Sequence, residues 1–219
     1  MAGPPSASSV NAPTAWDRTA WLRERSARAD AFLAAHAWQR DRLVGILGAT
    51  ATGAAAARVR ELLDPRCVAV VTGQQPAVGG GPLYTVVKAA HAIAIARGLS
   101  EVGRSAAPIF WCASEDHDLG EADHADIIAA DGSIHRFHGD LGGGRGSLRF
   151  RPARSWWSAL IAHCRTHLGS GIGEPYIASL VPDAEETMGA WHCRLLSSLF
   201  AQHGLICVEG HRLRPLWAE

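Results

Sequence analysis

Two apolar runs, residues 67–72 and 107–113, flank a glycine-rich loop and a stretch of helical periodicity. This order constrains the fold more than any other feature of the chain. The first run is β-branched and small, and it leads into Gly73-Gln74-Gln75 and the glycines at 79, 80 and 81. Pro82 suits a first helical position, where its missing N–H costs nothing. Leu83, Val86, Val87, Ala90, Ile93, Ala94 and Arg97 keep a 3.6-residue period, and Gly98 suits a C-terminal stop. Strand, glycine loop, helix and strand make a βαβ unit. Parallel strands are covered on both faces, so both runs are expected to be buried.

The remaining chain reads as α/β, with a mostly parallel sheet flanked by helices and a helical segment ahead of it. Residues from about 16 to 47 read as helix, with Phe32, Leu33, His36, Leu43, Val44 and Leu47 at helical spacing, and 54–63 form a second short helix stopped by Asp64-Pro65. Residues 127–138 read as a hairpin around Asp131-Gly132. Residues 155–168 and 184–203 read as helices, 169–182 as a connector and 205–209 as a third buried strand, while 139–146 is a glycine-rich loop. Trp156-Trp157 needs a surface to pack against. One domain over 16–219, with its core at about 67–210, follows a Pro/Ala/Ser-rich lead-in at 1–15 that reads as disordered.

Charge narrows the function. The 21 basic and 21 acidic residues balance, which argues against a protein that binds nucleic acid by neutralising phosphates. The lead-in lacks a basic and then apolar signal pattern, and no apolar run approaches membrane length, so a cytoplasmic protein without a membrane partner is expected. Five cysteines without a CxxC pair read as small buried hydrophobes in a reducing compartment.

Lys88 is the only lysine, and it lies one turn into the helix that follows the glycine loop. Ligands of open α/β sheets bind beyond the carboxyl ends of the strands. There the loop amides, the positive helix end, Tyr84, Thr85 and Lys88 suit a phosphate or a carboxylate. A structural turn is the competing reading, because neither a Walker motif nor a GxGxxG fingerprint is present. Ser114-Glu115-Asp116-His117-Asp118 follows the second strand, with His124 nearby. Carboxylates and an imidazole packed so closely perturb each other's proton affinity, which suits acid/base work or a magnesium ion beside a nucleotide. A solvated helix cap is the alternative. The spacing fits no zinc site, and no residue is assigned as a metal ligand. The other histidines show no ligand constellation.

Taken together, Thr72-Gly73-Gln74-Gln75, Gly81-Pro82-Leu83-Tyr84-Thr85, Lys88, Phe110-Trp111, Ser114 to Asp118 and His124 resemble the signature of the bacillithiol-biosynthesis cysteine-adding enzymes, the cysteine ligases. The segment from Thr187 to Val208 is similar to the helix and strand that follow that family's core, so the resemblance spans roughly residues 67–216. It implies a Rossmann-like domain that adds L-cysteine to glucosaminyl-malate, with ATP and Mg2+ as cofactors. In that frame Gln74 and Gln75 orient a substrate, and Tyr84, Thr85 and Lys88 hold a phosphate or the malyl carboxylates. Asp116, His117 and Asp118 move protons or hold metal. Thr72, Gly73, Gly81, Ser114, Glu115 and His124 complete the binding surface. Family members are much longer and dimerise through a coiled coil, whereas this chain stops near Trp217 and carries a divergent loop at 76–80. A homodimer, or association with a C-terminal half, is therefore the expected partnership. Two alternatives remain: a catalytically incomplete ligand-binding or partner module, and a nucleotidyltransferase acting on another substrate.

Overall fold

The computed structural model describes residues 17–142, 146–169 and 173–217. The lead-in at 1–15 and residues 143–145 of the glycine-rich loop lie outside them.

One helix over 16–47 is not what forms. Asp17 caps α1 (Arg18–Ala34) by accepting from the Ala20 N–H at 3.0 Å. The helix ends where His36 turns its ring onto the Phe32 carbonyl, with Phe32 and Trp38 packed around it. A new helix, α2 (Arg40–Gly48), starts where the Arg40 guanidinium grips the carbonyls of Leu62, Pro65 and Cys67. That anchor ties α2 to the corner between α3 (Gly53–Glu61) and β1 (Val68–Gln74) and fixes a new axis.

The parallel sheet has the order β1, β2 (Ala106–Cys112), β5 (Ile206–Glu209). Burial of β2 is as its composition demands, but β1 alternates between half-buried and exposed, and Val71 is 58% exposed. The reason is cover: on the face where Leu47, Val59 and Leu62 bury β2 and β5, Ala69 and Val71 of β1 are left exposed, whereas β5, also an edge strand, is buried. One face of the sheet is covered by α4 (Leu83–Glu101) and α8 (Met188–Leu199), where Ala89, Ile93, Phe110, Leu196 and Phe200 pack together. Leu47, Val59 and Leu62 cover Ala107, Ile109, Ile206 and Val208 on the other face.

α4 departs from its predicted face and end. Its buried seam is Thr85, Ala89, Ala92, Ile93, Ala96 and Leu99, while Leu83 and Val87 are exposed. Pro82 is the cap preceding the first turn. Gly98 does not stop the helix; it lets α1 approach, since a Cβ there would lie 2.8 Å from Leu22 Cδ1. The chain turns at Gly103, whose φ is +85°.

Beyond β2 come α5 (Leu119–Ala122) and the antiparallel hairpin of β3 (His124–Ile128) and β4 (Ile134–His138). α6 (Arg154–Leu168) packs on this hairpin, and the expected connector contains α7 (Glu174–Ser179). The tryptophan pair finds its surface inside: Trp156 and Trp157 meet Trp191 at ring distances of 5.1 and 5.8 Å. α8 is shorter than its apolar pattern, because the Thr187 hydroxyl caps it at Ala190 and a 310 turn precedes Gly204, at φ +71°. The cysteines are unpaired. Burial pushes the Cys207 thiol up to about 12, and a hydrogen bond with Cys112 together with burial raises Cys193, so both are protonated. Among the described residues no helix is long and apolar enough to cross a membrane.

Candidate functional site

The register sets Gln74, Cys112 and Glu209 level with one another, so the three parallel strands end along one rim. Thr72, Gly73 and Gln74 are the last residues of β1. Gly73 is needed there, because a Cβ would lie 2.6 Å from the Trp111 carbonyl oxygen. On the α4 side of the rim, Lys88 Nζ donates to the Gly73 carbonyl at 3.2 Å and to Gln74 Oε1 at 2.8 Å. The Tyr84 ring lies 5.1 Å from the ammonium. An ammonium has three donors, so one N–H remains for a ligand.

The glycine loop is less open than its composition implies. Gly79, Gly80 and Gly81 all have positive φ, which only glycine adopts cheaply. The Gly80 and Gly81 amides donate to Ala77 and Val78 carbonyls, and Val78 is fully buried in the tryptophan core. Anion-binding capacity at this corner therefore narrows to the start of α4, which has no side-chain cap, and to Lys88. Thr85 is 1% exposed and its hydroxyl has no partner, which places it beneath the surface beside Gly81.

The second block meets the first through Gln75, whose Nε2 donates to Glu121 Oε2 at 2.9 Å. Asp116 Oδ1 accepts from the amides of His117 and Asp118, and Asp118 caps the short α5 by accepting from Glu121 N–H. His117 is exposed. Glu115 pairs with Arg214 and lies 4.0 Å from Arg149. Ser114 is fully buried; its carbonyl accepts from the Ser147 hydroxyl and the Arg149 amide, both at 2.6 Å. His124 stands apart at the start of the hairpin, with Nδ1 3.1 Å from Asp123 Oδ1 and His138 on the other carboxylate oxygen. Among the described residues no group of three or more His, Cys, Asp or Glu could hold a metal ion.

Residues missed by the sequence reading complete the rim at β5. A pocket of about 320 Å3 opens there, walled by Arg149, Glu186, Thr187, Glu209, His211 and Arg212. Glu209 carries the same signal as the two blocks, a polar residue ending an apolar strand. Gly210-His211-Arg212 follow it, but no glycine-rich loop or acidic block marks the segment, and a four-residue strand carries it.

The sequence matches the family described as "Bacillithiol biosynthesis BshC, N-terminal Rossmann-like domain" over residues 13–216. A protein of Koribacter versatilis named "Putative cysteine ligase BshC" is 37% identical over 156 residues, covering 68% of this chain and 28% of that protein. The protein of the same name from Solibacter usitatus is 37% identical over 154 residues, with the same coverage. That from Geobacillus kaustophilus is 27% identical over 202 residues, covering 85% of this chain and 36% of that protein. The chain thus spans about three-tenths of the length of these curated relatives.

Proposed function

The chain belongs to the bacillithiol biosynthesis BshC family, which it matches through the N-terminal Rossmann-like domain, and we propose that it carries the strand-end cleft of a ligase that joins L-cysteine to glucosaminyl-malate. The observation that carries this reading is the anchored ammonium of Lys88. It is held by Gly73 and Gln74 at the rim of the sheet, beside the uncapped start of α4, with one N–H left over. Such a corner suits the malyl carboxylates or a nucleotide phosphate. ATP with Mg2+ belongs to the proposal on these terms: its phosphates would take the α4 end and Lys88, and it would supply the activation that a carboxylate needs before it forms an amide.

The chain's own residues then have distinct roles. Gln74 is fixed by Lys88, and Gln75 by Glu121, so their amide groups present set orientations to a ligand. Asp116 and Asp118 shape the turn that projects His117 outward, which leaves His117 as the group in this block free to exchange protons with a ligand. Purified chain is supplied with L-cysteine, glucosaminyl-malate and ATP with Mg2+, and the amide product is followed by mass spectrometry. Lys88→Ala and His117→Ala are each expected to cut product formation by about 100-fold or more. Unchanged turnover in either variant would remove that residue from the mechanism, and absence of both product and substrate binding in the parent chain would sink the reading.

A further inference from the structure

β5 ends in a carboxylate that lacks a hydrogen-bond donor. Glu209 is 5% exposed, and no hydrogen bond reaches its Oε2. A buried carboxylate is costly by several kcal/mol unless a donor or counter-charge faces it. The facing group is His211, whose Nδ1 lies 3.7 Å from Oε2 and is itself buried without a hydrogen bond. Each atom lacks what the other supplies. The approach is closed from behind by Gly189 of α8, where any side chain would overlap Glu209 and come within 2.6 Å of Ser114 Cβ. Arg212 Nε lies 3.9 Å from the other oxygen, Oε1.

With the proton on Nδ1 and turned to Glu209, the lone pair of the imidazole falls on Nε2. The His211 side chain keeps 21% exposure and walls the pocket of about 320 Å3. Its accessible edge is therefore a base. The wall also carries the guanidinium groups of Arg149 and Arg212, while Glu186 is held by Arg194 at 2.6 and 2.8 Å. An occupant suited to this wall has an acid group for the arginines and a proton to give to His211. The ring is faced by Glu209 and Glu115, which favour its protonation, and by Arg149 and Arg212, which oppose it. Burial is the largest influence, and the balance lies below the usual histidine value, so the free imidazole is neutral at pH 7.

We propose that Glu209 and His211 form a carboxylate–imidazole base at the end of β5, which takes the proton of a substrate ammonium bound in this pocket. An amine must lose that proton before its electron pair can form an amide. The ammonium gives H+ to Nε2, the nitrogen keeps its pair, and the imidazolium faces Glu209, which retains its charge and takes no proton. His211 is the base and Glu209 the positioning residue. The identity of the amine, the sugar amine of glucosaminyl-malate, rests on the ligase reading above.

Imidazole nitrogen NMR on the 15N-labelled chain, with His211 assigned by comparison with His211→Gln, tests this without any turnover. The free chain at pH 7 is expected to show His211 as the Nδ1–H tautomer. Glucosaminyl-malate is expected to raise the imidazolium fraction above that of the free chain, and the N-acetylated compound, which has the same acid groups but no ammonium, is expected to raise it less. Glu209→Gln should lower the protonated fraction by about tenfold at the same ligand concentration. An Nε2–H tautomer in the parent chain overturns the pair, and so does an imidazolium fraction that no amine raises beyond the N-acetylated compound; neither result depends on how Glu209→Gln folds. Protonation driven by L-cysteine but not by glucosaminyl-malate keeps the base and sinks the substrate assignment instead.

Discussion

His192 lies inside the fold with both ring nitrogens unpartnered, 5.7 Å from the Phe110 ring. Burial lowers its pKa from 6.5 to about 4. The unfolded chain therefore binds a proton near pH 6.5 that the folded chain refuses until about pH 4. The stability tied to the neutral ring is complete above pH 6.5 and is lost as pH falls toward 4, by about 3 kcal/mol at most. Urea midpoints at pH 7 and pH 4.5 are expected to differ more in the parent chain than in His192→Leu, which has no proton to bind. Equal pH dependence in the two would show that the ring is already solvated in the native state. His192 gave no warning in the sequence, because its burial depends on which face of α8 meets the sheet. Lys88 did give one: a unique ammonium in an arginine-rich chain can be seen without a structure, and it lies on the strand rim. Glu209 and His211 are neighbours in the sequence, but the burial of Glu209 depends on the tertiary fold, in which Gly189 of α8 closes over its carboxylate.

At the scale of elements, legibility followed how much of an element's environment is local. β2 and the turn of the hairpin read correctly because one is apolar throughout and the other has Asp131-Gly132, while β3 starts at His124, three residues before the expected strand. α4 misled because it is apolar nearly all round, so its period cannot say which stripe faces the sheet. The burial of β1 could not be read either, since which face a helix covers is a property of tertiary neighbours and not of composition. The glycine loop between them has a structural role, and its cost can be measured. Gly80→Ala meets both a φ of +92° and Leu195 Cδ2 at 2.6 Å, in a side chain that packs against the tryptophan core. Gly53→Ala meets a φ of +53° with nothing within 4 Å. Denaturant unfolding is expected to show a loss of about 1 kcal/mol for Gly53→Ala and at least about 2 kcal/mol for Gly80→Ala. Equal losses would mean that the loop relaxes away from Leu195 and is not pinned by the core.

For the whole molecule, the sheet order matters more than any one element. With β2 in the middle, Lys88 and Gln74 stand at one end of the rim and Glu209 at the other, with Ser114 to Asp118 between them. The sequence reading found the first and the middle part because each is a dense block. It read the third only as a buried strand at 205–209, because what brings Glu209 to the rim is the pairing of β5 with β2, about a hundred positions away. A ligand held along this rim binds the folded chain and not the unfolded one, so it must stabilise the fold. At a hundred times its dissociation constant the gain is about 2.7 kcal/mol. For a domain of this size that corresponds to a rise in Tm of about 5–10 °C. Glucosaminyl-malate and ATP with Mg2+ are each expected to produce such a rise in scanning calorimetry. Lys88→Met replaces the ammonium with an apolar chain of similar length on a half-buried helix face, so its own Tm should change by only a few degrees. Its ligand-induced rise should nevertheless fall by more than half for whichever ligand uses the α4 corner. A variant that keeps the full rise with both ligands would show that the anchored ammonium serves only to hold the end of β1. The cleft would then have to be built around the β5 pocket alone.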